Sequence, residues 1–252
     1  MSSTVKPARV GILGGMGPAA TADFYNKLVM ATPAARDQDH LAVLMEADPG
    51  VPDRSTAFLR GGPSPLPWLR QGADALARRG AEMVVMPCNT AHLWYEPIAQ
   101  QLSIPMLHIV DAVVDDLMEQ LGEKAEGPLR VGLLGTAATV AGRLYPLRAM
   151  HNPCARNWHW LLPAPAEQAE LDAGIAAVKR ADLAQGRERI VHIFDALVAR
   201  GADAVVFACT EVPLALGDQG QGGVTCSDST AALARLTVRL ARREIPFATR
   251  LP

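Results

Sequence analysis

The sequence predicts an α/β protein of two similar, doubly wound parallel-sheet domains related by a pseudo-two-fold duplication. Two observations carry this. The chain repeats itself at a fixed offset, and apolar strand-like runs alternate with amphipathic stretches of helical length. RVGILGG at 9–15 recurs as RVGLLGT at 130–136, and RGAEMVVMPCNT at 79–90 recurs as RGADAVVFACTE at 200–211, so both pairs share an offset of 121. One apolar pair can align by chance. Two pairs in one register, each ending in a glycine turn or a cysteine, point to a duplicated unit.

Each element follows from its pattern. RVGILGG leads through a glycine turn into a helix over 18–31, with Pro18 in the first turn, where a missing N–H breaks no helical bond. GGPSPLP at 61–67 is the stretch richest in breakers and reads as a surface loop or lid before a helix over 66–79. Val84-Val85-Met86 and its counterpart Val205-Val206-Phe207 are apolar without alternation, as strands buried on both faces of a parallel sheet are. Helices are predicted over 111–122, 167–179 and 182–200, and a last one over 227–243 is expected to pack back on the first half. Strand then helix, repeated, gives parallel crossover units. EQLGEKAEG before the second RVGLLG marks a boundary, and GDQGQGG at 217–223 reads as a flexible crossing. The expected domains are therefore 1–113 plus 226–252, and 114–225.

Composition narrows the function. The chain has 252 residues, 49% of them hydrophobic, enough to fill a core of this size. Its 24 Lys and Arg against 26 Asp and Glu leave a net charge of -2 and no basic excess for nucleic acid or an anionic membrane. MSSTVKPARV lacks a signal-peptide core, and no run approaches the roughly 18 apolar residues of a membrane span. A soluble, cytoplasmic protein acting on a small molecule is expected. The four cysteines, Cys88, Cys154, Cys209 and Cys226, show none of the close spacings of zinc or dithiol sites. Any special role must then lie in thiol chemistry at individual positions.

Cys88 and Cys209 are equivalent under the 121-residue offset; Cys154 and Cys226 have no partner under it. Each of the equivalent pair ends a buried strand, at the sheet edge where open α/β folds bind ligands. Two halves packed pseudo-symmetrically turn both edges toward one interdomain cleft, the expected active site. Asn89 and Thr90 are good helix N-cap residues, so Cys88 is expected to feel a helix dipole that lowers its pKa toward neutrality; Thr210 and Glu211 repeat the arrangement at Cys209. A lone cysteine would read as an inert small hydrophobe. Equivalence and polar neighbours reverse that reading. Gly15, Gly17 and Ala20 satisfy the dinucleotide pattern G-x-G-x-x-A, but Pro18 intervenes and Glu46 comes late for the acidic partner. The loop is either a tight turn or an anion site of backbone amides.

Over nearly its whole length the sequence resembles the aspartate racemases of the aspartate/glutamate racemase superfamily. The likeness is carried by GILGGMGP, PDR at 52–54, MPCNTAH at 86–92, GLLGTAAT at 132–139, AVK at 177–179 and CTEV at 209–212. The resemblance implies two similar α/β domains, a homodimer, Cys88 and Cys209 as an acid/base pair, and neither pyridoxal phosphate nor a metal. It aligns Arg54 and Lys179 with substrate-binding positions. The similar glutamate racemases carry DSG and CTH where this chain has Gly14-Gly15-Met16 and Cys209-Thr210-Glu211, which favours the aspartate branch.

The chemistry explains two thiols. Inverting an α-carbon needs a base on one face and an acid on the other, and donors to stabilise the carbanion between them. Asn89, Thr90, Thr136, Thr139 and Thr210 are candidate donors, and Met16 in the first loop is a candidate contact. Glu211 is expected to orient the second thiol or meet the substrate ammonium. His92, one turn past Cys88, is open to tuning, capping or packing roles. The expected function is racemisation of aspartate, extending to glutamate. The alternatives are a racemase or isomerase of the same superfamily acting on hydantoins, maleate or other amino acids, a non-catalytic two-lobed binding protein, and a nucleotide-dependent oxidoreductase.

Overall fold

The structure, a computed structural model, describes residues 6–217 and 223–247, so the expected crossing at 217–223 lies almost wholly outside the described residues. Within them the first half runs β1 (Val10–Gly14), α1 (Pro18–Ala31), β2 (Val43–Ala47), α2 (Arg54–Arg60), α3 (Leu66–Arg78), β3 (Met83–Val85), α4 (Tyr95–Ala99) and α5 (Ile109–Leu121). The second runs β4 (Arg130–Gly135), α6 (Ala137–Ala141), α7 (Leu144–Ala149), β5 (His159–Leu161), α8 (Pro165–Lys179), α9 (Leu183–Ala199), β6 (Ala204–Ala208), α10 (Val212–Leu216), β7 (Thr225–Asp228) and α11 (Ser229–Ala241).

Both sheets are parallel, with orders β2-β1-β3 and β5-β4-β6-β7. The repeat holds at the level of backbone pairing, since Val10 pairs with Met83 and Val131 with Ala204, each partner displaced by the same offset. Where β7 completes the second sheet, the first has only the parallel bridge of Val84 to Met106 among the described residues. The result is the expected two-domain α/β architecture.

Alternation along the strands divides the core in three. Val10, Ile12, Met83 and Val85 of the first sheet share one core with Val131, Leu133 and Val206 of the second, closed by Phe24 of α1, Val113 of α5 and Leu233 of α11. The opposite faces build separate cores. Leu13, Val84 and Met86 meet Leu69 and Leu76 of α3, while Leu134, Val205 and Phe207 meet Ile175 of α8 and Phe194 of α9. Each sheet is thus covered on both sides, and this is why β1, β3, β4 and β6 read as apolar runs. Burying each such side chain contributes about 1.5–3 kcal/mol, so the shared inner layer holds the two sheets in a fixed relation.

α11 lies against α1 and α5, and Lys27 of α1 bonds Asp228 at 2.5 Å. The expected domain limits at 113/114 and 225/226 fall inside α5 and β7, the elements through which the chain passes between the sheets. The last two residues of GGPSPLP belong to α3, whose first turn accommodates Pro67. Glu46 lies within β2 and its carboxylate accepts from Arg79, so it is no ribose ligand at a strand end.

Candidate active site

The carboxyl ends of β3 and β6 converge on a cavity of about 20 Å³, room for one water-sized body, inside about 310 Å³ of unfilled space open to solvent. Cys88, three residues beyond β3, and Cys209, directly after β6, both line it. They are buried alike, at 6% and 5% exposure.

The first half also contributes Met16 from the glycine loop, Asn89 and Thr90 after Cys88, and Arg54 at the head of α2; the second contributes Thr136, Lys179, Thr210 and Glu211. Thr139 does not line the cavity. It is fully buried behind it, closing a ring of three hydroxyls with Thr90 at 3.1 Å and Thr136 at 3.0 Å, while Thr90 and Thr136 are 2.9 Å apart. The ring joins the two halves at the cavity floor.

Asp53 and Ser55 line the cavity too and escaped the sequence reading. Both belong to the start of α2, a helix of seven residues with no buried side chain, so no apolar periodicity announces it. The available signal was Asp53 itself, an N-cap residue whose carboxylate accepts the Thr56 amide at 2.7 Å. Burial raises the Asp53 pKa, but the Thr56 bonds outweigh it and hold the carboxyl below its ordinary value. Arg54 Nη1 donates to the carbonyls of Val51 and Pro52 at 3.0 and 3.1 Å, which anchors the guanidinium and leaves its other donors for a ligand.

The glycine loop is a closed turn. Gly15 has φ of 90°, and a Cβ there would lie 2.5 Å from the Asp48 backbone. Its amide donates to Thr21 Oγ1 at 2.9 Å, and that hydroxyl donates to the Gly17 carbonyl at 2.9 Å, so the Gly15 N–H is already used. Gly17 brings the loop against the other half, since a Cβ built on it would stand 3.4 Å from Glu211 Oε1.

Two expectations about the thiols are corrected. Neither Asn89 nor Thr90 caps a helix with its side chain. Asn89 Nδ2 donates to Ser229 at 2.8 Å and its Oδ1 accepts from Tyr145 at 2.6 Å, while Thr90 belongs to the hydroxyl ring. The turn after Cys88 is 3₁₀, Thr90–Trp94, and α10 after Cys209 has five residues, too short to sum a sizeable dipole. At Cys209 the shift also runs opposite to expectation. Burial first, and the Glu211 charge second, push its thiol well above the ordinary value, against the pull of Lys179.

Lys179, the last residue of α8, supplies the cation between the halves. Burial disfavours its charge, but Glu211, Cys209 and Cys88 more than offset this, so its pKa is raised and it stays an ammonium. Among the described residues no three His, Cys, Asp or Glu side chains are grouped as metal ligands would be. The cavity therefore presents two sulfurs, two cations, two carboxylates and a row of neutral donors, an arrangement suited to a small zwitterion with carboxylate groups.

A family model described as Asp/Glu/hydantoin racemase matches residues 13–237. The broad specificity amino-acid racemase RacX of Bacillus subtilis (strain 168) is 29% identical over 239 residues, spanning 91% of this chain and 96% of that protein. Among solved structures, the Picrophilus torridus aspartate racemase superposes with a TM-score of 0.80 at 31% identity, covering 93% of this chain and 94% of that one. An aspartate racemase homologue from Pyrococcus horikoshii OT3 gives 0.71 at 25% identity, covering 93% and 99%.

Proposed function

Because the chain belongs to the Asp/Glu/hydantoin racemase family, we propose that it interconverts L- and D-aspartate, and also glutamate, by cofactor-independent proton transfer between Cys88 and Cys209. The observation that carries this reading is that two cysteines at equivalent positions of a duplicated chain line one cavity, with one ammonium beside both. One sulfur, as thiolate, takes the α-proton from one face, and the other, as thiol, delivers a proton to the opposite face. Lys179 and Arg54 hold the substrate carboxylates, and the hydroxyls and amides around Asn89, Thr90, Thr136 and Thr210 stabilise the charge that develops between the sulfurs.

Gly14-Gly15-Met16 and Cys209-Thr210-Glu211 support the aspartate branch, as does the likeness to the Picrophilus aspartate racemase. The likeness to a broad specificity racemase favours a second reading, a wider range of amino acids on the same thiol pair. The same proposal includes a cytoplasmic homodimer.

The test is α-proton exchange. Incubating the protein in deuterated water with aspartate, glutamate and neutral amino acids in turn should place deuterium at the α-carbon of both enantiomers, fastest with aspartate. Exchange with none of them would remove the racemase reading, and equal rates for acidic and neutral amino acids would select the broad one.

A further inference from the structure

Duplication makes the two thiol positions equivalent, but their neighbours differ. Two residues beyond Cys209 stands Glu211; at the matching place beyond Cys88 stands Thr90, whose hydroxyl turns to Thr136 and Thr139. Cys209 Sγ donates to Glu211 Oε2 at 3.0 Å, and Thr210 Oγ1 donates to the same oxygen at 3.2 Å. One proton lies between Sγ and Oε2; Thr210 as a second donor to that oxygen favours the carboxylate form of Glu211, which leaves the proton on sulfur. Burial and the Glu211 charge act in the same sense on Cys209.

The other charged groups do not cancel this bias. Lys179 of α8 is shared among Glu211 and both sulfurs. Arg54 and Asp53 reach the cavity from the head of α2, and Tyr145 stands behind, bonded to Asn89. Among the described residues, Cys209 is the one of the two thiols that hydrogen-bonds a carboxylate.

We infer that Glu211 sets the polarity of the thiol pair, holding Cys209 as the acid and leaving Cys88 as the base in the ligand-free protein. The inference rests on the racemase reading and makes Glu211 a positioning residue. In this state the Cys88 thiolate takes the α-proton of one enantiomer, the C–H pair staying on carbon as the S–H bond forms. Cys209 then gives its proton to the opposite face, and that bond pair stays on sulfur. The reverse direction starts from a Cys209 thiolate beside the Glu211 carboxylate, two anions in contact, and so from the scarcer form of the protein. The enantiomers are equal in free energy, so kcat/KM is the same in both directions; the polarity appears in kcat and KM separately.

Alkylation tests this without turnover. The ligand-free protein is treated with iodoacetamide near neutral pH, and modification of each cysteine is followed by peptide mass spectrometry. Because the two cysteine residues are buried alike, their relative rates report protonation more than access. Cys88 should react first. Glu211→Gln, of the same size but uncharged, should raise the Cys209 rate relative to Cys88 by about tenfold, the effect of roughly one pH unit in a thiol titration. Glu211→Asp should keep Cys209 slow, and Glu211→Gln should bring the two kcat values together. Cys209 reacting as fast as Cys88 in the wild-type protein, or a Cys209 rate unmoved in Glu211→Gln, overturns the inference. If alkylation behaves as expected but no amino acid exchanges its α-proton, the polarity stands and the racemase reading falls.

Discussion

His92 is tied to Cys88 through the backbone: its Nδ1 lies 2.9 Å from the Cys88 carbonyl oxygen. A carbonyl only accepts, so Nδ1 carries the hydrogen, and Nε2 must lack one because it accepts the Ile109 amide at 3.1 Å. Both partners demand the same neutral tautomer. His92 thereby fastens the peptide that carries the first thiol to the N-terminus of α5. Of the tuning, capping and packing roles that the sequence leaves open, the geometry shows capping of α5 together with packing, the ring stacking on Tyr95 with centroids 5.9 Å apart.

The first prediction concerns acid. Burial pushes the His92 pKa down from 6.5 to about 4, and His108, with its ring centre 4.8 Å away, is shifted in the same sense. A histidine with a depressed folded-state pKa binds fewer protons folded than unfolded, so its contribution is full above the unfolded value and is lost as pH falls from about 6.5 to about 4. For His92 alone the loss is about 3 kcal/mol. His92→Gln retains one donor and one acceptor but does not titrate, so urea unfolding at stepped pH should give a variant whose stability is flatter over that window. Parallel pH profiles for the two proteins would mean that the buried ring does not govern acid stability.

The second prediction separates chemistry from folding at the sulfurs. Cys88→Ser and Cys209→Ser change one atom in a polar, cavity-lining position, so unfolding free energies should move by no more than about 1 kcal/mol. Racemisation should fall by about a thousandfold or more in each, because a hydroxyl is a far poorer acid/base near neutral pH. Full activity in either variant, measured by polarimetry on aspartate, would show that its sulfur does not carry a proton.

Much of this fold is legible because its signals are local and periodic. The helix over 18–31 is found at those residues, and the duplication fixes where β3 and β6 lie. The sheet edges are not legible. β5 reads His-Trp-Leu and β7 Thr-Cys-Ser-Asp, so neither shows the apolar run of a central strand, and β2, which opens on Val-Leu-Met, has no counterpart at the 121-residue offset. At the site, positions were readable and partners were not. Asn89 looks like a cap by residue type, but Tyr145 and Ser229, 56 and 140 residues further along the chain, claim its side chain. The Cys209 thiol could be placed from the repeat. Contact of Glu211 with that thiol is one of the two roles its position leaves open, and the choice between them depends on the rotamer and on burial, neither of which the spacing of two residues encodes.

A third prediction tests the hydroxyl ring. Each of Thr90, Thr136 and Thr139 has two ring partners, and removing one hydroxyl leaves buried polar atoms with one partner fewer. Thr139→Val should therefore cost about 1–3 kcal/mol although the replacement matches its volume. Because Thr90 comes from the first half and Thr139 from the second, the double variant Thr90→Val/Thr139→Val should cost less than the two single losses together, with a coupling of about 0.5 kcal/mol or more. Strict additivity in urea unfolding would mean that the ring does not bind the halves together.

The last prediction assigns the two cations. Lys179 stands beside both sulfurs, hence beside any carbon held between them, and the α-carboxylate is the substrate group bonded to that carbon. Arg54 enters from the head of α2 and is anchored on the Val51 and Pro52 carbonyls, which places it to take the second, side-chain carboxylate. Asparagine has the shape of aspartate without that second charge, so comparing α-proton exchange in the two separates the roles. Lys179→Met should slow both substrates by about a hundredfold or more and leave their ratio near the wild-type value, since a charge-assisted bond of about 3 kcal/mol is lost from each. Arg54→Met should slow aspartate by a similar factor and asparagine little, collapsing the preference. If Lys179→Met were the variant that collapsed the preference, the two cations would have to exchange their assigned carboxylates.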